Sequence, residues 1–159
     1  MTQRLDYIKL SPTLFKKLAD FSMAVAASSI EPAISHLLDI RTSQLNGCAF
    51  CLDMHIKQAK IHGEGELRLH HVAAWRESPL FSARERAALA WTEALTQLSA
   101  HGVSDDLYAS VREAFSEQEL SDLTYQVMAI NAWNRANIAF RTVPGTADKA
   151  FGLEKAVFG

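Results

Sequence analysis

Apolar residues recur every three or four positions along most of the chain and strand-like alternation is absent, which predicts an all-α protein. Ser11-Pro12 sets a capping hydroxyl before a proline at the first helical position, and Leu14, Leu18, Phe21 and Val25 follow at helical spacing, so a helix is expected over 12–29. Glu31-Pro32 restarts the pattern with Ile34, Leu37, Leu38 and Leu45, and Asn46-Gly47 tolerates the left-handed turn that ends a helix. The next helix is predicted from Cys48 to His62, with Gly63 suited to its C-terminal cap. Ser82–Glu85 and Ser116–Glu119 have the spacing of capping boxes and open helices over 83–100 and 117–128. Further helices are predicted over 64–75, 104–114 and 131–141, and Pro144-Gly145 begins a less regular tail.

Composition narrows the picture. A chain of 159 residues suffices for one domain, and 48% hydrophobic with 21% charged residues is what a packed core requires. The net charge of -2 comes from interspersed acids and bases, with no basic run to neutralise phosphates, so nucleic acid is excluded as a partner. No apolar stretch approaches the roughly 18 residues needed to cross a bilayer, and the opening residues do not lead into a signal peptide. The expected location is the cytoplasm, with no membrane contact. Two cysteines three positions apart cannot staple distant parts of a fold, which points to a redox or metal role.

The chemistry centres on Gly47-Cys48-Ala49-Phe50-Cys51-Leu52-Asp53-Met54-His55. On a helix Cys51 is i+3 from Cys48 and His55 is i+4 from Cys51, so the three side chains share one face. Amide N–H groups at the helix start and a neighbouring imidazole both promote a thiolate, which suits a peroxide-reactive dithiol. Two alternatives stay open. The cysteines can be small core residues beside a satisfied histidine, or three zinc ligands completed by His36, His62, His70 or His71. Haem attachment is excluded, because Leu52 stands where Cys-x-x-Cys-His requires histidine. His70-His71 reads as a solvated face, and Trp75, Trp91 and Trp133 as fillers of cores or interfaces. The run Asn131-Ala132-Trp133-Asn134-Arg135 groups amide and guanidinium donors, with Asn131 as a cap or the group in a supporting or interface role. Ala87, Ala88, Leu89, Ala90, Trp91, Ala94 and Leu95 give the helix near 83–100 an apolar surface wider than one stripe, which predicts self-association.

The stretches SQLNGCAFCLDMH, SARERAALAWTEALT and INAWNRANIAF resemble the AhpD-like alkylhydroperoxidases of the carboxymuconolactone decarboxylase superfamily, over about residues 10–145 of a single domain. The resemblance implies an all-α fold, a homo-oligomer (trimer or hexamer), and reduction of hydrogen peroxide or organic hydroperoxides without a cofactor. It implies that Cys51 attacks the peroxide, that Cys48 resolves the sulfenic acid, and that His55 belongs to a proton relay. A protein or small-molecule dithiol would restore the reduced pair. Two physical effects favour different sulfurs: the helix dipole favours a thiolate at Cys48, whereas His55 is better placed to deprotonate Cys51.

Two positions depart from the family. Phe50 stands between the cysteines where the peroxidases have a histidine, and His36 stands where they have a glutamate. If His36 faces the dithiol, the pH–rate profile should depend on it; otherwise Asp39 or Glu31 supplies the carboxylate. The rival functions are a lactone decarboxylase, which would not need the dithiol, and a non-enzymatic redox-sensing or zinc-binding module.

Overall fold

Serines at three helix starts do what their spacing predicts. Ser82, Ser104 and Ser116 each accept a hydrogen bond from the third residue of the helix that follows, and Glu85 and Glu119 complete two capping boxes. The computed structural model describes residues 2–158. Its helices are α1 (Tyr7–Leu10), α2 (Pro12–Ala26), α3 (Pro32–Asn46), α4 (Ala49–Ile61), α5 (Glu66–His71), α6 (Ala83–Thr96), α7 (Asp105–Ala114), α8 (Glu117–Phe140) and α9 (Asp148–Phe151), with short 3-10 turns at Val72–Ala74 and Leu153–Lys155. The fold is all-α, and none of these helices is long and apolar enough to cross a membrane.

Several boundaries differ from the sequence expectation. The helices expected over 117–128 and 131–141 are one continuous α8. Asn131 does not cap a new start: its Nδ2 donates to the Val127 carbonyl one turn back and to Thr96 Oγ1. Residues that favour caps are held inside a helix by partners on other elements. α2 stops at Ala26, because the following chain turns and Ser29 donates through both its N–H and its hydroxyl to Asp122. α6 stops at Thr96, ahead of a turn in which Gly102 adopts φ 70°. The tail is more regular than expected, since Lys57 pairs with Asp148 and the Gly145 N–H donates to Asp53, tying α9 to α4. α1 was not signalled by periodicity; Asp6 caps it by accepting from the Lys9 N–H.

α3 is the central element and packs against α4, α6 and α8. Its residues alternate between two apolar clusters. Ile34 and Leu38 join Ala88, Trp91, Phe115, Leu123 and Val127, whereas Leu37 and Ile40 join Val72, Trp75, Phe81 and Leu89. Each fully buried leucine or isoleucine here stabilises the fold by about 1.5–3 kcal/mol. α6 contributes to both clusters: Ala88, Leu89 and Trp91 are buried within the chain, and Ala87, Ala90 and Leu95 pack half-buried against them, so much of the apolar surface that suggested self-association is used internally. Trp75 and Trp91 are core residues, as their size predicts. His70 is exposed, and His71 pairs through Nδ1 with Ser78 Oγ at 2.9 Å.

Candidate active site

The turn between α3 and α4 places the cysteines. Gly47 adopts φ 70° as the C-cap of α3, where its N–H and that of Cys48 satisfy the last carbonyls through Gln44 and Ser43. An added Cβ at Gly47 would meet nothing within 4 Å, so the requirement is conformational and not steric. The chain then re-enters a helix at once, with Cys48 as the N-cap of α4 and Cys51 in its first turn. Both thiols are free and buried, at 2% and 0% exposure, beside Ile130, Phe50 and Trp133.

The two sulfurs form a coupled pair. The Cys51 thiol donates to the Cys48 sulfur, and the N–H groups of Cys51 and Phe50 also face it, so the Cys48 pKa is drawn down to about 7 against the opposing effect of burial. Cys51 is pushed up because its proton is held by Cys48, because it is buried and because the Cys48 charge is adjacent. Amides of Asn134 and Asn137 oppose that rise. The negative charge of the reduced pair therefore resides on Cys48, as the helix start favours.

His55 lies one turn beyond Cys51 and is positioned by acceptors. Its Nδ1 is 2.8 Å from Gln58 Oε1 and 3.4 Å from Asp39 Oδ2. Two acceptors at one ring nitrogen place the proton there and leave Nε2 as the basic nitrogen. Asp39 is buried in the apolar run of α3, which pushes its carboxyl up, while His55 and a 2.7 Å hydrogen bond from Gln126 Nε2 favour the charged form.

His36, expected to occupy the place of the family glutamate beside the dithiol, meets His62 instead. Its Nε2 is 2.6 Å from His62 Nδ1 and the rings stack at 4.9 Å. Burial, then His62 and His55, lower its pKa to about 4, so it is neutral at neutral pH. The carboxylate facing His55 belongs to Asp39, three residues further along the same helix, and Glu31 is engaged by Arg84 at 2.9 Å. Sequence carried one signal for this assignment: an acid enclosed by Leu37, Leu38 and Ile40. Among the described residues no group of three His, Cys, Asp or Glu side chains is arranged to hold a metal ion.

α8 supplies the remainder of the site. Asn46 Nδ2 donates to Asn131 and Asn134, Asn134 Nδ2 donates to Ser43 Oγ, and Asn137 Nδ2 donates to Cys51 Sγ at 3.4 Å. Tyr7 reaches the same place from α1, its hydroxyl 3.2 Å from Asn137 Oδ1. The amide-rich run was legible as a possible support, but its contact with sulfur and the part played by Tyr7 were not.

Comparison with known proteins agrees with this architecture. The sequence model of the carboxymuconolactone decarboxylase family matches residues 12–94, which hold the dithiol and Asp39 but neither Tyr7 nor α8. The uncharacterized protein YdfG of Bacillus subtilis (strain 168) is 40% identical over 139 residues, 87% of this chain and 95% of YdfG. A crystal structure of a protein of unknown function from Agrobacterium tumefaciens, associated by name with the antioxidant defence protein AhpD, superposes with a TM-score of 0.88 at 37% identity, over 91% of this chain and 99% of that one. The debrominase Bmp8 shares the fold at 18% identity, with a TM-score of 0.76 over 94% of this chain and 80% of its own. This all-α chain, with its dithiol at the start of a helix, belongs to the carboxymuconolactone decarboxylase family and has the AhpD-like fold.

Proposed function

We propose that the protein is a thiol-dependent peroxidase that reduces hydrogen peroxide or organic hydroperoxides through a Cys48–Cys51 dithiol–disulfide cycle. The observation that carries this reading is a pair of buried free thiols at a helix N-terminus, where the Cys51 thiol and the helix N–H groups draw the Cys48 pKa down to about 7. The association of the Agrobacterium relative with AhpD supports it.

Cys51 is the attacking sulfur in this reading. Its proton passes to the Cys48 thiolate, and the resulting Cys51 thiolate, though the minor form, is the more nucleophilic because its pKa is higher. Attack on the terminal peroxide oxygen breaks the O–O bond, leaves Cys51 as a sulfenic acid and releases an alkoxide or hydroxide that takes up a proton. Cys48, deprotonated again, attacks the sulfenic sulfur; the S–S bond forms and the departing hydroxide becomes water. His55, with Nδ1 held by Asp39 and Gln58, accepts and returns protons through Nε2. An external dithiol, protein or small molecule, supplies the two electrons and two protons that reopen the disulfide. His36, with its pKa lowered to about 4, is neutral at neutral pH and takes no proton step in this reading.

Peroxide consumption with a small dithiol as reductant tests this function. Wild type should turn over and both Cys51→Ser and Cys48→Ser should lose catalytic turnover; full turnover by Cys51→Ser would overturn it. We further propose self-association, now through exposed apolar side chains such as Leu14, Met23, Tyr125 and Met128 rather than through α6, to be checked by light scattering.

A further inference from the structure

We propose that Tyr7 is a positioning residue for the dithiol: its hydroxyl holds the Asn137 carboxamide in the orientation that directs Nδ2 at Cys51 Sγ. The inference rests on the proposed peroxidase reading in one respect, that Cys51 is the sulfur committed to attack.

The orientation of Asn137 is fixed by its surroundings. Its Nδ2 lies 2.9 Å from the Trp133 carbonyl, which only accepts, so the nitrogen of the amide must face that way. Oδ1 then faces Tyr7, and because Oδ1 only accepts, the tyrosine hydroxyl is the donor at 3.2 Å. One hydrogen of Nδ2 is used by Trp133 and the other remains for Cys51 Sγ at 3.4 Å. Each polar atom of the Asn137 side chain thus has a defined partner, and Tyr7 completes the set from the opposite end of the sequence.

The tyrosine ring is located independently of its hydroxyl. It stacks on Phe140 at 5.1 Å and meets Phe15 edge-on at 6.3 Å, while the Arg4 N–H donates to the Phe140 carbonyl and ties the segment before α1 to the end of α8. Burial and the charges of Cys51 and Cys48 raise the Tyr7 pKa, which keeps the hydroxyl protonated and a donor wherever the dithiol works.

The chemical consequence concerns where the pair holds its charge. Cys48 has the helix N–H groups; Cys51 has Asn137, with Asn134 beside it. A donor aimed at Cys51 favours the form in which that sulfur is ionised. The titratable groups that act on Cys51 are Cys48 beside it and Tyr7 from α1; His55 follows one turn on along α4 with its Nδ1 toward Asp39 of α3, and α8 faces Cys51 with amides.

The test titrates Cys51 alone, in the full-length Cys48→Ser protein, by the pH dependence of alkylation with a small iodoacetamide. Tyr7→Phe keeps the ring contacts and should raise the apparent Cys51 pKa by roughly half to one unit. Asn137→Leu should raise it by at least as much, and adding Tyr7→Phe to Asn137→Leu should produce no further shift, because Tyr7 acts through Asn137. A Tyr7→Phe profile that superimposes on its parent, or a shift that adds in full to that of Asn137→Leu, would overturn the proposal. The readout does not depend on peroxide turnover. A shifted Cys51 titration in a protein whose wild type consumes no peroxide would retain the positioning role and remove the peroxidase reading.

Discussion

The two halves of α8 bury the same face for different ends. Leu120, Leu123 and Val127 in the first half close the apolar cluster formed with α3, α6 and α7. Continuing at the same spacing, Ile130, Asn134 and Asn137 in the second half face the dithiol turn, and two of these three are amides. The first half is stabilised by apolar burial, which is non-directional and tolerates reshaping. The second half depends on hydrogen bonds whose geometry is specific and whose loss leaves buried partners unsatisfied. A change in the first half therefore alters stability alone, whereas one in the second half alters thiol chemistry as well.

The largest effect on stability should come from the first half. Leu123 is completely buried, and Leu123→Ala should destabilise the protein by about 2–5 kcal/mol. Chemical denaturation will measure this, and the thiol titration of the folded variant should be unchanged. Asn134→Leu, in the second half, should cost about 1–3 kcal/mol by removing the amide that donates to Ser43 and one of the two acceptors of Asn46. It should also raise the pKa of Cys51, so it is distinguished from Leu123→Ala by moving both readouts.

A smaller effect is expected where Asp39 orients His55. Asp39→Asn preserves the shape but removes the carboxylate, and peroxide turnover should fall roughly ten-fold or more while melting temperature changes little. The smallest effect belongs to His36. Its pKa in the folded protein is about 4, below the unfolded value of 6.5, so the unfolded chain binds the proton first as pH falls. The stabilising effect of a neutral His36 is fully present above pH 6.5 and is lost progressively toward pH 4. His36→Gln should flatten the melting temperature against pH across that window. It should leave the acid limb of peroxide turnover, set by Cys48 near pH 7, in place.

The same comparison explains what was legible in the sequence. Helix starts marked by Ser-x-x-Glu and by proline, the Gly47 turn and the apolar stripes were readable, because each is a local property with a fixed spacing. The dithiol and His55 were readable for the same reason, lying within two turns of one helix. The second half of α8 reads from sequence as a new helix start, since asparagine is a common cap and its tertiary partners on α3 cannot be seen from spacing. His36 was placed at the site by its position in the family pattern, but its ring pairs with His62 from the far end of α4, leaving Asp39 to face His55. Tyr7 carried no signal at all, because its contact with Asn137 joins residues 130 positions apart.

The most direct test of the account is the fate of the two sulfurs when fully reduced protein meets one equivalent of hydrogen peroxide near neutral pH, read by mass spectrometry of quenched, digested samples. Wild type should form a Cys48–Cys51 disulfide, and Cys48→Ser should carry a sulfenic acid on Cys51 that a cyclic diketone traps. Recovery of both thiols unmodified from folded wild-type protein would contradict it.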